Sequence, residues 1–276
     1  MKKIKLISEI KSYWDKQPCG VKKGKGDVGT LEYFKTGSER RYKVEPHIRD
    51  FASFHQWRGK RVLEIGCGMG WDAVEFAKHG AHYVGVDISE ESVKLAKQQF
   101  EAYGLEGEFH VLDAGDSDAL KQLGEFDLVY SMGVIHHYPD IRATIKNIHQ
   151  CVNNEGEFRF MVYAKDSWKY AMIQKGLDQF EAQSDCPYAE AFTRDDMYKL
   201  LDGYFDILRL RQAHCFMYNI DMYKQGKHDL EPWFEAMPEE MREAVSEYLG
   251  WHLLVKAKKT QLQSHDDSYY KTDRNR

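Results

Sequence analysis

Cysteine is scarce and scattered. The 276-residue chain has five, Cys19, Cys67, Cys151, Cys186 and Cys215, an odd number with no C-x-x-C spacing. That pattern argues against a disulfide framework and against structural zinc held by thiolates. Long apolar runs are missing too, so no segment is expected to cross a bilayer. The opening MKKIKLISEIKSYW is basic but lacks the apolar core of roughly 7 to 15 residues that a secretory leader needs, which makes a cytoplasmic location the default expectation. There is no excess of positive charge: Lys and Arg number 39 against 44 Asp and Glu, a formal net charge of -5. No overall basic field would therefore draw nucleic acid or an anionic membrane surface. No internal repeat is present. The length suits one sizeable α/β core with a cap, without two independent domains.

What the chain does have is concentrated between residues 61 and 89, RVLEIGCGMGWDAVEFAKHGAHYVGVDIS. Val62, Leu63 and Ile65 suit a buried parallel strand. Gly66, Cys67, Gly68, Met69 and Gly70 follow as a glycine-rich turn, where missing side chains permit unusual torsions and close approach of a ligand to the backbone. A helix from about Trp71 to Lys78 then aims free N–H groups at that turn and favours negative charge there. A second short strand ends in Asp87, whose carboxylate can accept hydrogen bonds from both hydroxyls of a ribose. The segment reads as a nucleoside-binding βαβ unit. The dinucleotide pattern G-x-G-x-x-G would need glycine at position 71, where a pyrophosphate would instead meet the indole of Trp71.

The arrangement E-x-G-x-G-x-G at residues 64 to 70 resembles the first motif of class I S-adenosylmethionine-dependent methyltransferases. The likeness continues in order through FHVLDAGD and EFDLVYSMGVIHHYPD and covers residues 61 to 163. It implies S-adenosylmethionine as cofactor and S-adenosylhomocysteine as product. It further implies that Gly66, Cys67, Gly68 and Gly70 cradle the cofactor and that Glu64 organises its ammonium side, while Asp87 fixes the ribose and Ile88 packs on the adenine. Asp113 and Ala114 match the positions that contact the adenine amino group and ring, and Ser131, Met132 and Gly133 match those beside the sulfonium. The asparagine/aspartate-Pro-Pro-aromatic motif of adenine-N6 methyltransferases should follow the fourth strand, where this chain reads SMGV. HHYPD looks like the small-molecule branch, so the expected acceptor is an oxygen or nitrogen nucleophile of a small metabolite.

The expected fold is α/β, a doubly wound, mostly parallel seven-stranded sheet with an antiparallel edge hairpin and a helical cap. Strands are predicted at 61 to 66, 82 to 87, 108 to 112, 126 to 131, 157 to 163, 204 to 211 and 252 to 258. Residues 1–58 form an N-terminal cap or lid, 59–164 the cofactor-binding core, 165–260 the rest of the sheet with helical substrate-cap insertions, and 261–276 a polar tail expected to be disordered. Pro46 suits the first turn of a helix whose Ile48, Phe51, Ala52 and Phe54 form an apolar stripe. Thr193 and Asp196 have the spacing of a capping box, and a helix is bounded by Pro238 and Gly250.

His136 and His137 are predicted to open the helix after the fourth strand. A neutral imidazole can accept a proton near pH 7, so His136 is the candidate base, with His137 a cofactor-side contact. Capping alone is the other reading of the pair. Glu45 is a second possible base, or simply a carboxylate favoured by a helix dipole. Tyr33 is expected to close over the cofactor from the N-terminal segment. Pro18-Cys19 resembles the catalytic dipeptide of cytosine-C5 DNA methyltransferases but precedes the first strand, so Cys19 is not assigned as a nucleophile. Methyl transfer needs no metal, and none is expected. A nicotinamide-dependent oxidoreductase and a non-catalytic nucleoside-binding protein remain the alternatives.

Overall fold

The computed structural model describes residues 2–178, 186–225, 227 and 229–260. The predicted tail at 261–276 and the end of the first insertion, at 179–185, lie outside the described residues. In chain order the elements are α1 (Lys2–Lys16), α2 (Leu31–Val44), α3 (His47–Ala52), β1 (Arg61–Ile65), α4 (Trp71–Lys78), β2 (His82–Asp87), α5 (Glu90–Tyr103), β3 (Glu108–Val111), α6 (Ser117–Gln122) and β4 (Phe126–Met132). They continue as α7 (Ile141–Cys151), β5 (Val152–Ala164), α8 (Trp168–Gln174), β6 (Ala191–Phe192), α9 (Arg194–Leu201), β7 (Phe205–Ala213), α10 (Ile220–Tyr223), α11 (Pro232–Glu235), α12 (Glu239–Leu249) and β8 (His252–Lys259).

The main sheet runs β3-β2-β1-β4-β5-β8-β7. The first five strands are mutually parallel, and β8 inserts antiparallel between β5 and β7 as the predicted edge hairpin. An eighth strand was not foreseen: β6 is two residues long and pairs with β5 through Tyr163 and Ala191, too short to leave a periodic signal. β1 is covered on both faces, so Val62, Leu63 and Ile65 are all buried, each worth about 1.5–3 kcal/mol. On one face pack Ile141, Ile145 and Ile148 of α7 with Met197 and Leu201 of α9. On the other lie Ile48 and Phe51 of α3, Ala73 and Phe76 of α4, and Val93 and Phe100 of α5. The segment expected to be cap thus contributes α3 to the core layer.

Several local expectations hold. The side chain of Thr193 accepts from the Asp196 N–H while that of Asp196 accepts from the Thr193 N–H, closing a capping box. Pro238 and Gly250 bound α12, and Pro46 immediately precedes α3. Two differ. β5 begins at Val152, because Val152 is fully buried and pairs with Phe126 across an irregularity in register. His136 and His137 do not open α7. They sit in a separate 3-10 turn, since Tyr138, the residue before Pro139, is extended, and Asp140 then caps α7 by accepting from the Ala143 N–H.

The strand order reverses between β1 and β4, where a parallel sheet opens a crevice at its carboxyl ends. α1 is docked beside that crevice. Lys11 Nζ lies 3.0 Å from Glu90 Oε1, and Asp15 Oδ1 accepts the Glu90 backbone N–H at 2.8 Å.

Candidate functional site

A cavity of about 630 Å³ occupies this crevice. Its floor is the glycine turn. Gly66 has φ 72 and Gly68 φ 53, and a Cβ on Gly66 would run into the Val134 side chain. The Gly66 and Cys67 N–H groups donate to the Val86 carbonyl at 2.8 and 3.0 Å, stitching the turn to β2. Asp87 closes the end of β2: its Oδ2 accepts the Gly68 N–H at 2.9 Å and its Oδ1 the Ser89 N–H at 2.8 Å. Burial pushes this carboxyl up to about 6, against the two backbone donors that favour its charged form.

Glu64 lies deeper. Its Oε2 accepts the Tyr83 hydroxyl at 2.6 Å, and burial, then the nearby Asp72 charge, raise its pKa well above the usual carboxylate range. Asp72, in the first turn of α4, is held from three sides. Arg41 donates through Nε at 3.1 Å and Nη2 at 2.9 Å, Tyr42 through its hydroxyl at 2.8 Å and Tyr130 at 3.1 Å. A carboxylate at a helix N-terminus, paired with a guanidinium, is a stable way to bury charge next to a cavity.

Of the predicted site residues, Glu64, Gly66, Cys67, Gly68, Asp87 and Ile88 line the cavity, and so do Met132, Gly133, His137 and the second candidate base, Glu45. The others stand behind its wall. Ser131 is fully buried and donates its hydroxyl to the Ile65 carbonyl at 3.1 Å, tying β4 to β1. Asp113 accepts the Gly115 N–H at 2.7 Å, and the Ala114 N–H donates to the Tyr138 hydroxyl at 3.1 Å, so Tyr138 faces the cavity in their place. Gly70, at φ 89, caps α4. Tyr33 donates its hydroxyl to the Val21 carbonyl at 2.6 Å and packs with Phe34 and Trp71. It holds the loop after α1 to the turn rather than facing the cavity.

His136 is completely buried, its ring 3.9 Å from that of Tyr163, and it does not line the cavity; burial, then the neighbouring His137, drive its pKa well below 6.5. His137 does line it. The Nδ1 of His137 lies 2.6 Å from the Tyr188 carbonyl oxygen, which can only accept, so the proton sits on Nδ1 and Nε2 is the basic nitrogen.

The sequence did not single out several lining residues. Ile7 and Ile10 of α1 come over the cavity beside Trp14, an aromatic whose place in the cap was expected, and the spacing of three and four residues among them was a legible amphipathic signal. Arg41 left no motif. Neither did His214 and His252, which line the cavity with Trp251 and Lys169. Cys19 also faces it and is exposed.

A turn rich in positive φ after β1, a carboxylate ending β2 and a capped cavity where the strand order reverses define a Rossmann-like α/β protein. Its family is more specific: the family model of the methyltransferase domain matches residues 37–226, and the chain belongs to that family. It is 32% identical over 120 residues to the ubiquinone biosynthesis O-methyltransferase of Aromatoleum aromaticum, covering 44% of this chain and 51% of the relative. To the protein of that name from Escherichia coli O7:K1 it is 31% identical over 117 residues, or 42% and 48% of the two chains. The chain spans about half the length of the curated relatives it matches. Magnesium protoporphyrin IX methyltransferase from Synechocystis PCC 6803, solved with bound SAH, superposes with a TM-score of 0.59 at 19% identity, over 92% of this chain and 100% of that one. A solved structure from Bacillus halodurans C-125 gives 0.53 at 19% identity over 77% and 99%. At these identities the structural likeness speaks for the fold alone. Among the described residues no helix is long and apolar enough to cross a membrane.

Proposed function

We propose that the chain binds S-adenosylmethionine in this cavity and catalyses methyl transfer to an oxygen or nitrogen of a small metabolite. The observation that carries the reading is the pairing of the Asp87 carboxylate with the Gly68 N–H on the cavity floor, a carboxylate poised for ribose hydroxyls beside a turn so tightly packed on Val134 that position 66 has no room for a side chain. Family membership supports it, as do relatives whose name makes them O-methyltransferases.

The bound sulfonium supplies an electrophilic methyl group, whose carbon–sulfur bonding pair returns to sulfur as the acceptor's lone pair forms the new bond. The protein's part is alignment and exclusion of water. Asp87 accepts from the ribose, Ile88, Leu112 and Tyr138 bound the base, and Glu64 with the Arg41–Asp72 pair sets the polar end. Trp14, Met161, Tyr163 and Trp251 give the remaining space an apolar, partly aromatic wall suited to a planar or apolar acceptor. His137 takes the acceptor's proton on Nε2, a nitrogen buried in the cavity wall that the 3-10 turn must turn outward when the acceptor is seated. His136 shapes the turn that presents it.

Thermal-shift comparison of S-adenosylhomocysteine with NADH tests the cofactor: stabilisation by the first and not the second is expected, and the reverse makes the chain an oxidoreductase. Incubation with methyl-labelled S-adenosylmethionine and a cell extract, separated into metabolite, RNA and protein fractions, tests the acceptor. Label in the metabolite fraction is expected. Label confined to macromolecules overturns a small acceptor.

A further inference from the structure

Three histidines not used by that reading meet around the cavity wall: His47 opening α3, His214 just after β7, and His252 opening β8. One ring nitrogen from each lies within 4.8 Å of the other two. His47 Nε2 and His252 Nδ1 are 2.9 Å apart, and the rings of His214 and His252 lie 4.4 Å apart at 16°. The antiparallel pairing of Ala213 with His252 places His214 one residue beyond the strand end. There it holds φ 68, a left-handed conformation that residues other than glycine seldom keep without compensation. Its Nδ1 is buried with no hydrogen-bond partner.

Buried imidazoles ordinarily find carbonyls, carboxylates or water. Here two of the three rings use each other and the third has an unsatisfied nitrogen. Glu45 adds a carboxylate on the far side of His252, with Oε1 3.8 Å from Nε2, the ring nitrogen opposite the one that faces His47. Its other oxygen is taken up by Arg41 at 3.6 Å and Lys23 at 4.0 Å. At 3.8 Å the approach of Glu45 to His252 is proximity rather than a hydrogen bond, and it puts within reach of the outer nitrogen of His252 the kind of carboxylate that commonly stands behind a metal-binding imidazole. The nearby cations are engaged: Arg41 with Asp72 and Glu45, Lys23 with Glu45, and Lys169 over the Trp251 ring.

We propose that His47, His214 and His252 bind a divalent first-row transition-metal ion of the zinc class, with its fourth position open to the cavity. Three imidazoles select such an ion over magnesium or calcium, which prefer oxygen ligands. Three protein ligands with one open position are the form of a zinc site that meets a substrate. With metal–nitrogen bonds of about 2.0–2.1 Å the three nitrogens sit roughly 3.4 Å from one another, so the His47–His252 pair opens from its 2.9 Å to admit the ion. The open position takes an oxygen of the acceptor, holds it and lowers the pKa of a hydroxyl there, so that His137 receives its proton more readily. Ion binding stands independently of the methyltransferase reading; only the role toward the acceptor rests on it.

The test uses the untagged full chain, stripped with a chelator, in equilibrium dialysis against zinc and, separately, with cobalt(II) followed by visible absorption. One equivalent of zinc bound at micromolar concentration and the intense visible bands of tetrahedral cobalt are expected. His214→Gly, whose backbone takes φ 68 without strain, and His252→Ala should each weaken zinc binding at least tenfold, while Cys19→Ser leaves it unchanged. Circular dichroism reports whether each variant folds, and His214→Gly decides alone if His252→Ala does not. Absence of zinc binding by the parent chain, or unchanged affinity in folded His214→Gly, overturns the proposal. Zinc binding by a chain indifferent to S-adenosylhomocysteine would support this site and sink the cofactor reading.

Discussion

The Gly68 N–H donates to Asp87 Oδ2 at 2.9 Å, so the turn after β1 and the end of β2 form one hydrogen-bonded unit on the cavity floor. Replacing Asp87 with Ala removes the acceptor for the ribose hydroxyls. Hydrogen bonds to a charged group contribute about 1.5–3 kcal/mol, so affinity for S-adenosylhomocysteine should fall roughly 10- to 100-fold by calorimetry. In the unliganded variant, relief of the buried carboxylate and loss of the acceptor for the Gly68 and Ser89 N–H groups oppose each other, so the change in melting temperature should be small beside the loss of affinity. A variant that binds as tightly as the parent would move the ribose elsewhere.

The same group sets a pH dependence. Asp87 rises from 3.8 unfolded to about 6 in the folded chain, so the fold holds its proton more tightly. Its contribution to stability is therefore full below pH 4 and lost as pH rises through 6. Binding runs the other way. Ribose hydroxyls need the ionised acceptor, so affinity for S-adenosylhomocysteine should decline as pH drops from 7 to 5. In Asp87→Asn that step should vanish, and titration calorimetry across the range checks both.

Gly66 lies within a turn whose geometry a side chain would destroy. At φ 72, a Cβ there would also collide with Val134 from the loop after β4. Gly66→Ala should abolish measurable cofactor binding and lower stability by about 2 kcal/mol or more, from torsional strain and the clash together. Val134→Ala in that background removes the two methyls that come closest but keeps a Cβ 2.8 Å from the new one, and leaves the strain, so at most partial recovery of the melting temperature is expected, without full recovery of binding.

These positions were legible because each is fixed by local chemistry. Strand β1 announces itself by apolar residues, the turn by its glycines, Asp87 by its place after an apolar pair, and these lie within 29 residues of sequence. The same holds for the sheet, whose strands and closing hairpin each carry their own pattern. Tyr33, Ser131 and Asp113 show the limit. Their presence in the right segment was readable, but whether a side chain faces the cavity or the layer behind depends on tertiary packing. His47 and His252 are 205 residues apart and meet only because β8 inserts beside β5, which no spacing rule encodes. β6 is too short to register a period at all.

The two adjacent histidines should separate cleanly in kinetics. His136 is fully buried against Tyr163, so His136→Ala leaves a void costing about 2–4 kcal/mol, by analogy with other large core truncations, yet removes no group from the cavity. His137 lines the cavity with its tautomer fixed by the Tyr188 carbonyl. Loss of a general base costs about 10²–10⁴ in rate. With the acceptor identified by labelling, single-turnover rates at saturating cofactor should drop at least a hundredfold in His137→Ala and less than tenfold in folded His136→Ala. Raising the pH should partly restore His137→Ala, because a deprotonated acceptor no longer needs the imidazole. The opposite ranking, with His136→Ala the slower variant and cofactor affinity intact, would return the base to His136 and require the 3-10 turn to rearrange when the cavity fills.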